Sequence, residues 1–269
     1  MIIAILGGIV LLTRDSNSDV GDAQALMRKQ NERERMDSAR SAANARGELK
    51  AAFDAFAAVG KVMPVPETLV VKPDPSGFYF VGRHDQNVGV EVPFTPGRSR
   101  TPPPEHKAIS ENPGFLGADA CKECHLQRHA SFIHTAHHRT SLLANKDSIA
   151  GPLQEGKNVL QTENPDVQME MLRGNDQCYQ RVSFLDWMFE VPMDIAIGSA
   201  KIGQSYLYWH EDGLYQANVA YLAEGDTWSN SPGYIDGDAA YARPSGTRCL
   251  ECHTTYVELR KPENHYTPG

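Results

Sequence analysis

The chain has no run of twenty apolar residues, the length a helix needs to cross a bilayer. It also lacks a basic stripe. Its 26 Lys and Arg stand against 34 Asp and Glu, a net charge of −8, so a nucleic-acid partner is not expected. The most basic stretch, residues 28–46, is interleaved with Glu32, Glu34 and Asp37 and reads as a solvated helix face. Cysteine is scarce, and only Cys178 stands outside a motif. That residue reads as a small buried hydrophobe, with an intermolecular disulfide or a reactive thiol as alternatives. Proline is missing from residues 22–59, where Gly47 is the only glycine, and this absence predicts a long helix.

The apolar run that does occur, residues 2–12, is too short to span a membrane but suits the hydrophobic region of a signal peptide. No positive charge precedes it. The small-x-small sequence Ala23-Gln24-Ala25 lies too far downstream to make a good cleavage site. We expect residues 1–21 to be a signal or an uncleaved membrane anchor, with the rest of the chain in the periplasm or at the membrane surface.

Leu49, Phe53 and Phe56 give the end of the predicted helix an apolar face. Pro64, Pro66, Pro73 and Pro75 then break helix, and short strands are expected at residues 69–71, 78–81 and 88–92. The sequence TPGRSRTPPP at residues 95–104 reads as a stiff linker. It divides residues 22–103, a helical stalk with a short β segment, from a domain at residues 104–269. Residues 118–143 contain neither proline nor glycine and read as one helix. Strands follow at residues 178–184, 188–191, 205–210 and 214–222, the last two joined by the turn Glu211-Asp212-Gly213. A Gly- and Pro-rich loop at residues 230–246 then leads to a short helix at Cys249.

Four cysteines fall in two identical frames, Cys121-Lys122-Glu123-Cys124-His125 and Cys249-Leu250-Glu251-Cys252-His253. Both are C-x-x-C-H, the c-type haem attachment pattern. Two sulfurs about a helical turn apart can each form a thioether with one vinyl group of a single porphyrin. The histidine that follows is then placed to ligate the iron. We therefore expect two covalently attached haem c groups, with His125 and His253 as proximal ligands. A four-cysteine zinc site is the main alternative, and it leaves His125 and His253 unexplained. A thioredoxin-type pair would need one C-x-x-C at a helix start after a strand.

Of the other eight histidines, His129, His134, His137 and His138 cluster directly after the first frame, while His84, His106, His210 and His265 are scattered. Met169, Met171, Met188 and Met193 are further candidates for a sixth iron ligand. If residues 121–143 form one helix, His125 and His137 are separated by about 18 Å at ~1.5 Å per residue, too far for one iron. His137 is then expected to be the distal ligand of the other haem, with His134 and His138 as fallbacks.

The stretch Gly117-Ala118-Asp119-Ala120-Cys121-Lys122-Glu123-Cys124-His125, followed by Phe132-Ile133-His134-Thr135-Ala136-His137, resembles the start of multihaem cytochromes related to the tetrahaem cytochrome c of ammonia oxidisers. In that family C-x-x-C-H is followed by an aromatic, two residues, Ser or Thr, one residue and a histidine. Residues 197–207 and 228–234 are similar to segments of exported multihaem proteins. The resemblance covers residues 115–265. Phe132 stands where the family has tryptophan, and two motifs stand where it usually has four or more.

The fold class expected is α+β: a cytochrome c domain with short haem-bearing helices and an antiparallel hairpin or meander insert, preceded by an N-terminal helix. Electron transfer with redox partner proteins is the expected task. The alternative is a haem oxidoreductase acting on hydroxylamine, nitrite or nitric oxide at a five-coordinate iron. The low haem count and the turn-like end Tyr266-Thr267-Pro268-Gly269 further suggest haem-binding segments C-terminal to Gly269.

Overall fold

A computed structural model of the chain describes residues 16–55, 62–75, 77–83, 89–95, 114, 116–255, 259–260 and 265–266. The proposed anchor at residues 2–12, most of the proline-rich linker, His84 and His106 lie outside the described residues. Among those described, no helix is long and apolar enough to cross a membrane. The protein is a mixed α+β chain with an N-terminal helix and several antiparallel sheets. It divides into two compact units, residues 1–48 and 49–269.

Helix α1 (Ser16–Asp54) begins six residues before its expected start and accounts for the described part of the first unit. The side chains described between residues 27 and 45 are all exposed. Met27 and Met36 are exposed, and a buried apolar side chain is found in its last turns, where Phe53 is fully buried within the second unit.

In the second unit, strands β1 (Leu69–Asp74), β2 (Gly77–Gly82) and β3 (Gly89–Val92) form a meander where strands were expected. Leu69, Phe80, Val90, Val92 and Phe94 belong to the main hydrophobic core, which places this segment in the same unit as both cysteine frames. The two compact units divide at Glu48 and Leu49, while most of the linker expected at residues 95–104 lies outside the described residues.

The first frame follows. It lies on the end of a 3₁₀ turn (Ala118–Cys121) and the turn that follows, directly before the two-turn helix α2 (Leu126–Phe132). The single helix expected over residues 118–143 is thus broken twice. His125 leaves helical geometry at φ −127°, ψ 45°. After Phe132 the hydroxyl of Thr135 donates to the Phe132 carbonyl at 2.7 Å, and the His138 amide donates to Thr135 Oγ1 at 3.2 Å. These side-chain bonds compete with the helical ladder and turn the chain.

Next come β4 (Ser141–Leu143), β5 (Val159–Gln161), β6 (Val167–Arg173), β7 (Cys178–Phe184), β8 (Trp187–Met193), β9 (Ile195–Ile197), β10 (Gly203–His210), β11 (Gly213–Gln216), β12 (Val219–Leu222), β13 (Thr227–Asn230) and β14 (Ala239–Ala240). Strands β5 to β8 form an antiparallel sheet, and β14 adds parallel to β3. A third sheet is centred on β10, which pairs with β9, β11 and β12. The expected hairpin at Glu211-Asp212 is present, with His210 opposite Gly213. Residues 214–222 are two strands rather than one, parted at Ala217 and Asn218.

The sheets share an aromatic interior. Phe80 stacks on Trp187 at 4.4 Å, and Phe189 meets Tyr241 edge-on at 5.5 Å, contacts that add about 0.5–1.5 kcal/mol each beyond area burial. Gln180 joins two sheets from within. Its Nε2 donates to the Val219 carbonyl at 2.8 Å, and its Oε1 accepts from the Val219 amide and the Tyr241 hydroxyl.

Helix α3 (Thr247–His253) carries the second frame as expected, and later in the chain β15 (Leu259–Arg260) pairs with β16 (His265–Tyr266).

Candidate functional site

The two frames are held in different ways. In the second, Leu250 is the inner anchor, packed with Leu207, Trp209 and Leu214 in a small cluster that Ile195 and Ile197 flank. One turn of α3 is thereby pinned to β9, β10 and β11, while Cys249 and Cys252 stay exposed. The first frame has no such anchor, since Lys122 and Glu123 are both exposed. Instead His129 of α2 is buried and its Nε2 lies 3.0 Å from Asp119 Oδ1, which ties α2 to the 3₁₀ turn.

A bond network joins the segment after α2 to the second frame. Thr140 Oγ1 lies 2.6 Å from His253 Nδ1, and Ser141 Oγ donates to the His253 carbonyl across 112 residues of sequence. The two frames consequently border one cavity of about 970 Å³, toward the upper end of the ~300–1,000 Å³ common for cofactor sites. Cys121 and His125 of the first frame line it, as do Cys252 and His253 of the second. His137, His138, Phe132 and Arg128 complete much of the wall.

The remaining expected ligands separate clearly. His137 and His138 line the cavity, and the His138 ring meets Phe132 edge-on at 5.2 Å. His134 is exposed and does not line it. The helical spacing used to place His137 on the other haem does not apply, because the chain turns between Phe132 and Thr140. Met169, Met171, Met188 and Met193 are all buried in the sheets and do not line this cavity. They are packing residues, which corrects their candidacy as iron ligands. His210 lies against Phe94 and Tyr215 on β10 and β11. The side chain of His265 is outside what is described.

All five cysteines are unpaired. Cys178 is completely buried, and burial pushes its thiol pKa up. A raised pKa and an inaccessible sulfur suit the small-hydrophobe reading and oppose both an intermolecular disulfide and a reactive thiol. Among the described residues no three His, Cys, Asp or Glu side chains gather as a metal ion requires, whereas a four-cysteine zinc site needs all its sulfurs on one point. A haem asks less of the chain, since the porphyrin itself fills the equatorial positions and leaves only axial ones. Exposed thiols and the imidazoles of His125, His137, His138 and His253 around one cavity fit such a group.

Sequence reasoning missed Thr140, Ser141, Asp119 and Leu250. Only Leu250 left a signal, as the one apolar residue between the cysteines of either frame. No protein-family model, curated protein or solved structure matches the chain.

Proposed function

We propose that the chain is an extracytoplasmic electron-transfer cytochrome with two covalently attached c haems, one on Cys121 and Cys124 and one on Cys249 and Cys252. The observation that carries this reading is the meeting of Cys121 and His125 with Cys252 and His253 around one cavity. Two further features support it. Free cysteine is among the most buried residue types, yet all four motif cysteines are exposed, as thioether formation would require. Leu116, Leu126 and Phe132 are also 84%, 62% and 42% exposed beside the first frame, an apolar surface of the kind a macrocycle covers.

When bound, haem c supplies a one-electron iron couple whose potential follows its axial ligands. The chain's own residues do the rest. His125 and His253 would supply the proximal imidazoles, and His137 and His138, which line the cavity, would be the candidates for the remaining ligands. The extracytoplasmic location rests on the apolar run at residues 2–12 and on c-haem attachment taking place outside the cytoplasm. Redox partner proteins would exchange electrons with the exposed frames.

Expression with a haem-maturation system tests the reading by mass and by pyridine haemochrome count. Two haems are expected, and Cys121→Ala or Cys249→Ala should each remove one from the stable, thioether-bound fraction. A wild-type chain at its unmodified polypeptide mass would overturn the proposal. The spin state then separates an electron carrier, with both irons low-spin, from an oxidoreductase with a high-spin iron that binds nitric oxide.

A further inference from the structure

We infer that Thr140 is a positioning residue for His253, fixing its tautomer and thereby making the two C-x-x-C-H sites electronically unequal. The electrochemical part of this inference rests on the haem reading above, and the tautomer part does not.

The geometry is a two-point grip. Thr140 Oγ1 lies 2.6 Å from His253 Nδ1, and the adjacent hydroxyl, Ser141 Oγ, donates to the backbone carbonyl of the same histidine. Side chain and main chain of His253 are therefore both held by two consecutive residues. The grip is anchored in turn. Ser141 pairs with Ile197 in the sheet, and the Gly198 amide donates to the Thr140 carbonyl at 2.7 Å. His253 is thus referred to a sheet edge and not to a free loop.

A neutral imidazole carries one N–H and one lone pair. If Thr140 Oγ1 accepts from Nδ1–H, the lone pair stands on Nε2, which has no protein partner among the described residues. That is the form a metal needs, and a bond at the far nitrogen also raises ligand basicity. His125 offers a contrast. It lines the same cavity, yet its ring makes no hydrogen bond among the described residues. Two frames with the same sequence pattern therefore present unequal imidazoles, the one at His253 being the stronger donor. A stronger donor favours ferric iron, so the second frame should hold the lower reduction potential.

The test uses the full-length chain in two states. Without haem, long-range ¹H–¹⁵N correlation at about pH 8, above the ordinary histidine pKa of ~6.5, should show His253 as the Nδ1–H tautomer. Thr140→Val should lose that preference and Thr140→Ser should keep it. An Nε2–H tautomer in the wild type, or no change in Thr140→Val, would overturn the inference. With haem, Thr140→Val should keep two covalent haems while one of the two reduction steps moves positive. The expected change is roughly tenfold in the ferric-to-ferrous preference, within the range for such outer partners, or about 59 mV for one electron. Thr140→Ser should restore it. Two unmoved steps in a doubly loaded Thr140→Val protein would sink the idea. Failure of the wild type to take up haem would instead sink the proposed function, and the tautomer measurement would still decide the role of Thr140.

Discussion

Chemical identity is shared by the five cysteines, but environment divides them. Cys178 begins β7 with no exposed surface, whereas the four motif thiols stand in water. Thiolate, not thiol, reacts with alkylating reagents, so burial with a raised pKa leaves Cys178 inert while the chain is folded. Iodoacetamide should therefore label four thiols in the folded chain without haem and none in the loaded protein. On unfolding the loaded protein a single thiol should appear, read by mass. Rapid labelling of Cys178 in the folded chain would contradict the buried position, and labelling of the loaded motifs would contradict thioether attachment.

Among the elements, α3 shows how a short helix becomes a fixed platform. Seven residues are too few for a helix to persist on its own propensity, so its order comes from packing, and Leu250 is its one buried side chain. Leu250→Ala should cost about 2–5 kcal/mol by the usual range for a buried leucine, measured by chemical denaturation. Haem should remain attached at the second frame, but with a broadened spectrum as His253 loses its fixed place. An unchanged denaturation midpoint would show that α3 is held by something other than this cluster.

Many of the strands were legible because their signals are local: alternating or continuous apolar runs bounded by turn residues. Strand β7 matches its expectation at both ends. Strands β5 and β6 were not foreseen, although Val167, Met169 and Met171 alternate inward as a half-buried strand should. The helix over residues 118–143 also failed. Absence of proline and glycine permits a helix, but the hydroxyl of Thr135 offers the backbone another partner. The two frames themselves were plain in the sequence. Their shared cavity was not, because the bonds that create it join residues more than a hundred positions apart.

At the level of the whole molecule, the two units differ in what sustains them. Unit 49–269 has a continuous interior, and α1 enters it only through its last turns. Arg181 draws on that end of the helix, with Asp54 at 3.0 Å, Glu190 at 2.9 Å and its guanidinium 4.8 Å above the Phe53 ring. A chain starting at Leu49 should therefore keep its denaturation midpoint and its haem content. Extending the deletion through Asp54 should destabilise it, because buried Arg181 then loses a partner and a stacked ring. A truncation at Leu49 that aggregates or loses both haems would show that residues 1–48 support the fold.

The reach of Thr140 and Ser141 to His253 also sets an order of events during synthesis. His253 follows His125 by 128 positions, which a ribosome translating ~5–20 residues per second covers in roughly 6–26 s. Through that interval the first pair of thiols exists without the opposite wall of its cavity. Modification of the first frame can thus begin on an open chain, whereas the second frame meets its clamp already made. On the proposed haem reading, the two frames would be an early and a late attachment site on one polypeptide.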